Sequence, residues 1–267
     1  MALRLRRVWQ SATVEPGSPS ITAQKVALQR LTFERVPAPY GDPDADIALA
    51  RDVASGAAVD GESELSAYLA ARTLFFDRVV VRALEGGITQ AAIIGAGYDG
   101  RAFRYAKPGV RWFEVDHPST QADKRARLDR LGIDTSAVAY VAADFASDDV
   151  AGSLVTAGLD TADATVFICE GVAVYLEREV LVALLRAIRQ VAAPRSLLAV
   201  SFSMTPDSDE AAARQEWFRR RVAAIGEPER DRLTPDERAD VVASTGWTDE
   251  TTSPRAQRAG LVVLRPV

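Results

Sequence analysis

With 267 residues, 48% hydrophobic and 26% charged, the chain has the make-up of a globular protein with a sizeable core. A formal charge of −5 argues against a nucleic-acid partner, and no run approaches the ~18 apolar residues of a membrane span. Its one cysteine, Cys169, excludes an intrachain disulfide framework, and its one histidine, His117, excludes a His-rich metal site, so no metal is expected. Met1 to Gln10 is basic without the apolar stretch of a secretory signal, which together with the cysteine usage sets the expectation of a cytoplasmic protein.

In chain order, residues 1–87 read as an N-terminal helical cap, integral to the domain. A helix is expected over Ile21 to Val36, closed by Pro37, Pro39 and Gly41. Asp42 before Pro43 is an N-cap followed by proline at the first helical position, and that helix should end near Ser55-Gly56. A third helix, Glu64 to Glu85, puts Leu65, Leu69, Phe76, Val79, Val80 and Leu84 on one face. Arg72 falls on that same face, either as a snorkelling residue at the rim or as a cation turned inward towards an anion.

Residues 88–267 read as the core. Strands are expected at Ala91–Ile94, Arg111–Val115, Ala139–Ala142, Ala164–Cys169 and Leu197–Phe202, with helices near Gly100–Ala106, Ser119–Leu131, Asp148–Thr156 and Glu177–Ala192 between them. This alternation predicts an α/β, Rossmann-like, doubly wound and mostly parallel sheet. A polar helical insertion follows near 205–230, then a helix at Pro235–Ser244 capped by Thr234. Trp247–Thr252 and Ala259–Pro266 read as a C-terminal antiparallel pair joined through Pro254.

The functional signal lies where the first strand of the core ends in Gly95-Ala96-Gly97. Glycines at a strand-to-helix turn bring backbone N–H groups close to a ligand, and an acid closing the next strand, Asp116 or its neighbour Glu114, suits a ribose. Gly95, Gly97 and Gly100 match the spacing of a dinucleotide site, so an NAD(P)-dependent oxidoreductase is one reading. Three features count against it. The motif starts near residue 91, behind a helical segment, whereas dinucleotide domains often begin near it. The following helix is broken early by Lys107-Pro108-Gly109, and acids close three successive strands at Asp116, Asp144 and Glu170, which would repel a pyrophosphate. Such a ring of acids suits S-adenosylmethionine, with its ribose, adenine amine, α-ammonium and sulfonium.

Four ordered motifs then carry a resemblance: Ala71-Arg72-Thr73-Leu74-Phe75-Phe76-Asp77, Gly95-Ala96-Gly97-Tyr98-Asp99-Gly100-Arg101-Ala102, Phe113-Glu114-Val115-Asp116-His117-Pro118 and Glu170-Gly171-Val172-Ala173-Val174-Tyr175-Leu176. Together they resemble the leucine carboxyl methyltransferase-like branch of class I S-adenosylmethionine-dependent methyltransferases, which includes bacterial polyketide carboxyl O-methyltransferases. The resemblance is firm over Leu65 to Met204 and looser outside it. It implies that Arg72 pairs with the cofactor carboxylate, a role suited to a guanidinium fork. It further implies that Gly95 and Gly97 admit the amino-acid end, with Asp99 and Arg101 shaping the turn. Asp116 would accept the ribose hydroxyls, Asp144 the adenine amine beside the Phe145 backbone, and Glu170 the α-ammonium. Gly100 departs from the family, where threonine is common, and implies a more flexible turn.

Methyl transfer from a sulfonium is an in-line displacement, so alignment supplies much of the rate. A carboxylate acceptor is already ionised at pH 7 and needs no general base, which fits a chain with one histidine and no base motif. The expectation is therefore O-methylation of a carboxylate on a small molecule or peptide, with no nucleic-acid or membrane partner. No catalytic residue is singled out. Besides the oxidoreductase, a non-catalytic cofactor-binding protein remains as a third class. Trp217 and Phe218 are candidates for an apolar acceptor pocket, and Arg214 with Arg219, Arg220 and Arg221 for an acid-attracting or solvated face.

Overall fold

The computed structural model describes residues 19–54, 64–206, 216 and 230–267. The basic start, the Ser55-Gly56 helix end, most of the 205–230 insertion, and its Trp217, Phe218 and arginine cluster lie outside the described residues. Seven strands form one sheet in the order β3-β2-β1-β4-β5-β7-β6. Parallel pairing joins β1 (Gln90–Ile94), β2 (Arg111–Asp116), β3 (Val138–Ala142), β4 (Thr165–Cys169) and β5 (Leu197–Ser201). The last strand, β7 (Leu261–Pro266), runs antiparallel to β5, and β6 (Trp247–Asp249) antiparallel to β7. The order reverses between β1 and β4, which opens a crevice outside their carboxyl ends.

The strands are legible because helices cover both faces, so β1 and β4 are buried at every residue and read as continuous apolar runs. Side chains alternate between two cores. Ile94, Val115, Phe167 and Val200 face one layer with Leu154, Leu181, Leu185 and Ile188 from α6 (Val150–Thr156) and α7 (Arg178–Val191). Ile93, Trp112, Ile168 and Ala199 face the other, where α3 (Glu64–Glu85) lays down Phe76, Val80 and Leu84. The helix α8 (Pro235–Ser244) starts on a capping box in which Thr234 and Glu237 satisfy each other's backbone N–H groups.

Two expectations need correction. The first helix, α1 (Ile21–Gln29), stops seven residues short of Val36. Leu31 and Thr32 close on the Leu28 and Gln29 carbonyls, and the chain then extends. Val36, Ala38 and Tyr40 thereby pack on the α3 side of the core while Arg35 reaches Asp77 and Asp46. At the C-terminus, the two antiparallel strands are joined by a short helix, α9 (Pro254–Arg258), capped by Ser253 with Pro254 at its first position. The remaining cap helix, α2 (Pro43–Ala54), starts as expected, with Asp42 Oδ1 accepting the Asp44 and Ala45 N–H groups.

Candidate functional site

The turn after β1 is held open by geometry that only glycine meets easily. Gly95 has φ +71° and donates its N–H to the Val115 carbonyl, and a Cβ there would lie 2.3 Å from Val172 Cγ2. Gly97 has φ +49°, and a Cβ there would meet the Ala23 methyl at 2.9 Å, because α1 lies across the turn. Its freed N–H points at the end of β2 and donates to Asp116 Oδ2 at 2.5 Å. Asp116 Oδ1 accepts the His117 N–H at 2.6 Å. Burial holds the Asp116 carboxyl above its ordinary value, and these two backbone donors offset only part of that rise.

His117 itself caps α5 (Pro118–Leu131): its Nδ1 accepts the Ser119 N–H and lies 2.8 Å from Ser119 Oγ. Glu114, the other acid of β2, is 1% exposed and bonds Lys124 Nζ at 2.6 Å from within the core. It does not reach the ligand edge, so it drops out as an alternative to Asp116.

At the end of β4, Glu170 is the hub of a buried ionic cluster. Its Oε1 accepts Arg72 Nε at 2.9 Å, and its Oε2 accepts Arg101 Nη1 at 2.6 Å and Arg30 Nη2 at 3.2 Å. Arg30 and Arg101 also pair with Asp99. The cluster continues inward: Arg101 Nε meets Asp77 at 2.7 Å, Arg35 grips Asp77 with two hydrogen bonds, and Asp46 joins Arg35 to Arg104. Burial alone would raise the Glu170 carboxyl, but Arg101, Arg30 and Arg72 hold it well below the usual carboxylate range.

Among the described residues, five guanidiniums against four carboxylates leave one positive charge in this cluster. Arg72 sits at its outer edge with the Tyr68 ring 5.7 Å from its Cζ. Among the described residues no hydrogen-bond acceptor meets its Nη1 and Nη2. The cation on an apolar helix face is thus turned inward, and half of its fork is unused. The same cluster corrects the picture of a ring of acids, because Glu170 is neutralised by its guanidiniums and cannot repel a pyrophosphate.

Asp144 and Phe145 follow β3 on the same sheet edge, beside Asp116, whose carbonyl accepts the Ala143 N–H. Asp144 Oδ1 accepts the Ala146 N–H, and Phe145 packs against the core under α6 and α7. Gly100 differs from the expected flexible turn: a Cβ there would stand 1.9 Å from Asp46 Oδ1, so the missing side chain makes room for the buried carboxylate. Arg30, Arg35, Asp77 and Lys124 were not singled out in the sequence. A basic residue at a helix end, as Arg30 is, is too common to be a signal.

Residues 31–189, more than half of the chain, match the profile of leucine carboxyl methyltransferases. A protein of Mycolicibacterium paratuberculosis, assigned as an S-adenosyl-L-methionine-dependent methyltransferase, is 37% identical over 169 residues, 61% of this chain and 54% of its own length. One from Saccharopolyspora erythraea with the same assignment is 31% identical over 243 residues, covering 85% of this chain and 82% of the relative. The chain spans about half the length of the first of these curated relatives. A DUF574 family protein from Streptomyces avermitilis shares the fold with a TM-score of 0.60 at 19% identity, over 94% of this chain and 99% of that one. By profile match and by identity, the chain belongs to the leucine carboxyl methyltransferase family.

Proposed function

We propose that the protein is an S-adenosylmethionine-dependent methyltransferase that methylates a carboxylate oxygen of a small molecule or peptide. The observation that carries the cofactor reading is the unused Nη1/Nη2 edge of Arg72, at the outer edge of a cluster whose described residues carry one more positive than negative charge. A carboxylate is the group that such a planar fork fits. The remaining donor set fits the rest of the cofactor. Glu170 Oε1 accepts one hydrogen bond and has capacity for an ammonium, and Asp116 has lone pairs beyond those used by Gly97 and His117 for ribose hydroxyls. Asp144 and the Phe145 backbone stand at the same edge for the adenine. The assignment of the relatives as S-adenosyl-L-methionine-dependent methyltransferases supports the cofactor part of this reading.

When bound, S-adenosylmethionine supplies a methyl group on a sulfonium. An ionised carboxylate acceptor would take that methyl group without any proton being removed by the chain. The chain's own residues therefore hold and align the reactants. Having His117 committed to the α5 cap is consistent with chemistry that needs no histidine base. Calorimetric titration of wild type and Arg72→Ala with S-adenosylhomocysteine, beside NADH and NADPH, tests the cofactor. Binding lost in the variant supports the reading, and binding of a nicotinamide dinucleotide instead overturns it. Turnover of carboxylate acceptors with labelled cofactor then tests the substrate class.

A further inference from the structure

The geometry points to Lys124 as a positioning residue that sets the glycine turn and the charge of Asp116 from beneath the site. This inference rests on the cofactor reading above. Lys124 is on α5, faces inward and is 1% exposed, an unusual place for an ammonium unless it is fully engaged. Its Nζ donates to the Asp99 carbonyl at 2.7 Å and to Glu114 Oε2 at 2.6 Å, with the Phe103 ring 5.8 Å away. The first of these bonds grips the backbone of the turn itself, two residues after Gly97. The second ties that turn to β2, two residues before Asp116. One side chain thus braces the two segments whose meeting, Gly97 N–H to Asp116, forms the ribose edge.

The same ammonium acts on Asp116 through its field. Burial disfavours the Asp116 carboxylate, and Lys124 is a buried cation that favours it. The other groups facing this spot are Glu114 from β2, whose Oε1 has no partner, the Asp99 carboxylate in the turn, the buried Tyr140 hydroxyl from β3, and His117 after β2. Beside these groups, Lys124 is a cation hydrogen-bonded to the backbone carbonyl of the turn. A ribose needs the anionic carboxylate as acceptor, so removing the ammonium should make cofactor affinity fail at a higher pH.

The test removes Lys124 without stranding Glu114. Affinity for S-adenosylhomocysteine is measured by calorimetry from pH 5 to 8.5 in wild type, Glu114→Gln, Glu114→Gln/Lys124→Met and Glu114→Gln/Lys124→Gln. The neutral glutamine keeps a donor for the Asp99 carbonyl, so it carries the test if the methionine variant does not fold. The acid limb of affinity should stay in place in Glu114→Gln and move up by about one pH unit in both double variants. At pH 8 the methionine variant alone should bind about tenfold more weakly, through loss of the brace. 5′-Methylthioadenosine, which has the ribose and lacks the amino-acid end, should show the same displaced limb. An unmoved limb in folded double variants overturns the inference, whether affinity is unchanged or falls equally at every pH. Failure of wild type to bind S-adenosylhomocysteine at all overturns the cofactor reading and this inference with it.

Discussion

Asp77 and Arg101 meet at 2.7 Å with neither side chain exposed to solvent, and through this contact helix α3 reaches the end of β4. Arg101 bonds Asp77 through Nε and, through Nη1, Glu170 and Asp99. Arg35 closes on the far side of Asp77 with two hydrogen bonds. The carboxylate therefore orients the guanidinium that orients Glu170. Asp77→Asn leaves two buried guanidiniums short of a counter-charge, and removing one partner of a buried pair costs about 3–5 kcal/mol. Urea unfolding of wild type and variant measures this. A loss under about 1 kcal/mol would mean that the neighbouring carboxylates take up the slack.

Two buried carboxyls give stability a maximum in mildly acidic solution. Arg101 and Arg35, acting against burial, hold Asp77 down at about 2, from an ordinary 3.8. Its contribution is present above the ordinary value and disappears as pH falls towards 2, at about 2 kcal/mol. Burial raises Glu114 from 4.5 to about 6, with Lys124 opposing the rise. The folded state then binds this proton more tightly than the unfolded chain does, so stability grows by about 2 kcal/mol as pH falls from above 6 to below 4.5. Thermal melts from pH 2 to 8 should peak between the two limbs, and Glu114→Gln should flatten the neutral one. A wild type that gains stability steadily from pH 5 to 8 would contradict the Glu114 assignment.

Gly100→Thr tests why this chain departs from its family at the turn. The new Cβ would stand 1.9 Å from Asp46 Oδ1 and 2.8 Å from its Cβ, so helix α2 or the Asp46 side chain has to move. Displacing Asp46 strips Arg35 and Arg104 of a shared acceptor. The expected loss is about 2–4 kcal/mol, seen as a lowered melting temperature. Asp46→Gly by itself removes the same acceptor and the clashing atoms, so adding Gly100→Thr to it should cost little more. A neutral Gly100→Thr would show that Asp46 gives way without losing its guanidinium partners.

The elements that local pattern decides were legible in the sequence, and those that closure of the fold decides were not. Helix α3 spans the expected Glu64–Glu85 with Leu69, Phe76, Val80 and Leu84 buried, and α8 starts at the expected N-cap Thr234. Helix α1 stops early because Arg35 is drawn off towards Asp77, forty-two residues away, which no window around α1 records. Arg72 was readable because a cation on an apolar face is a local contradiction. Arg30 contradicts nothing locally, and although Asp77 stands three and seven residues before the buried Val80 and Leu84, its partners become apparent only once α1, α3 and the β1 turn converge. Between Glu114 and Asp116, alternation puts both acids on one face of β2. Only the depth of Lys124 decides that Glu114 is interior and Asp116 is edge.

Asp116→Asn should weaken S-adenosylhomocysteine binding more than loss of a single ribose contact would. Both carboxylate oxygens accept backbone N–H groups, from Gly97 and His117. An amide has one acceptor oxygen, so its NH2 would face one of those donors and the turn would open. Losing the ribose contact and one charge-assisted bond together predicts an affinity about a hundredfold lower, near 3 kcal/mol. Calorimetry at pH 7.5 measures it, and an affinity within threefold of wild type would remove Asp116 from the site.

Arg72→Lys separates charge from shape at the mouth of the cluster. Lysine preserves the positive charge but carries a single ammonium, whereas Arg72 binds Glu170 with Nε and leaves its Nη1/Nη2 edge open. A lysine there must choose between Glu170 and an incoming carboxylate. Stability should change little, since Arg30 and Arg101 still hold Glu170. Affinity for S-adenosylhomocysteine should fall at least about tenfold, as expected for loss of a bidentate carboxylate contact. Affinity for 5′-methylthioadenosine, which has no carboxylate, should be unchanged. Equal weakening of both ligands would show that Arg72 supports the site as a whole and does not read the carboxylate.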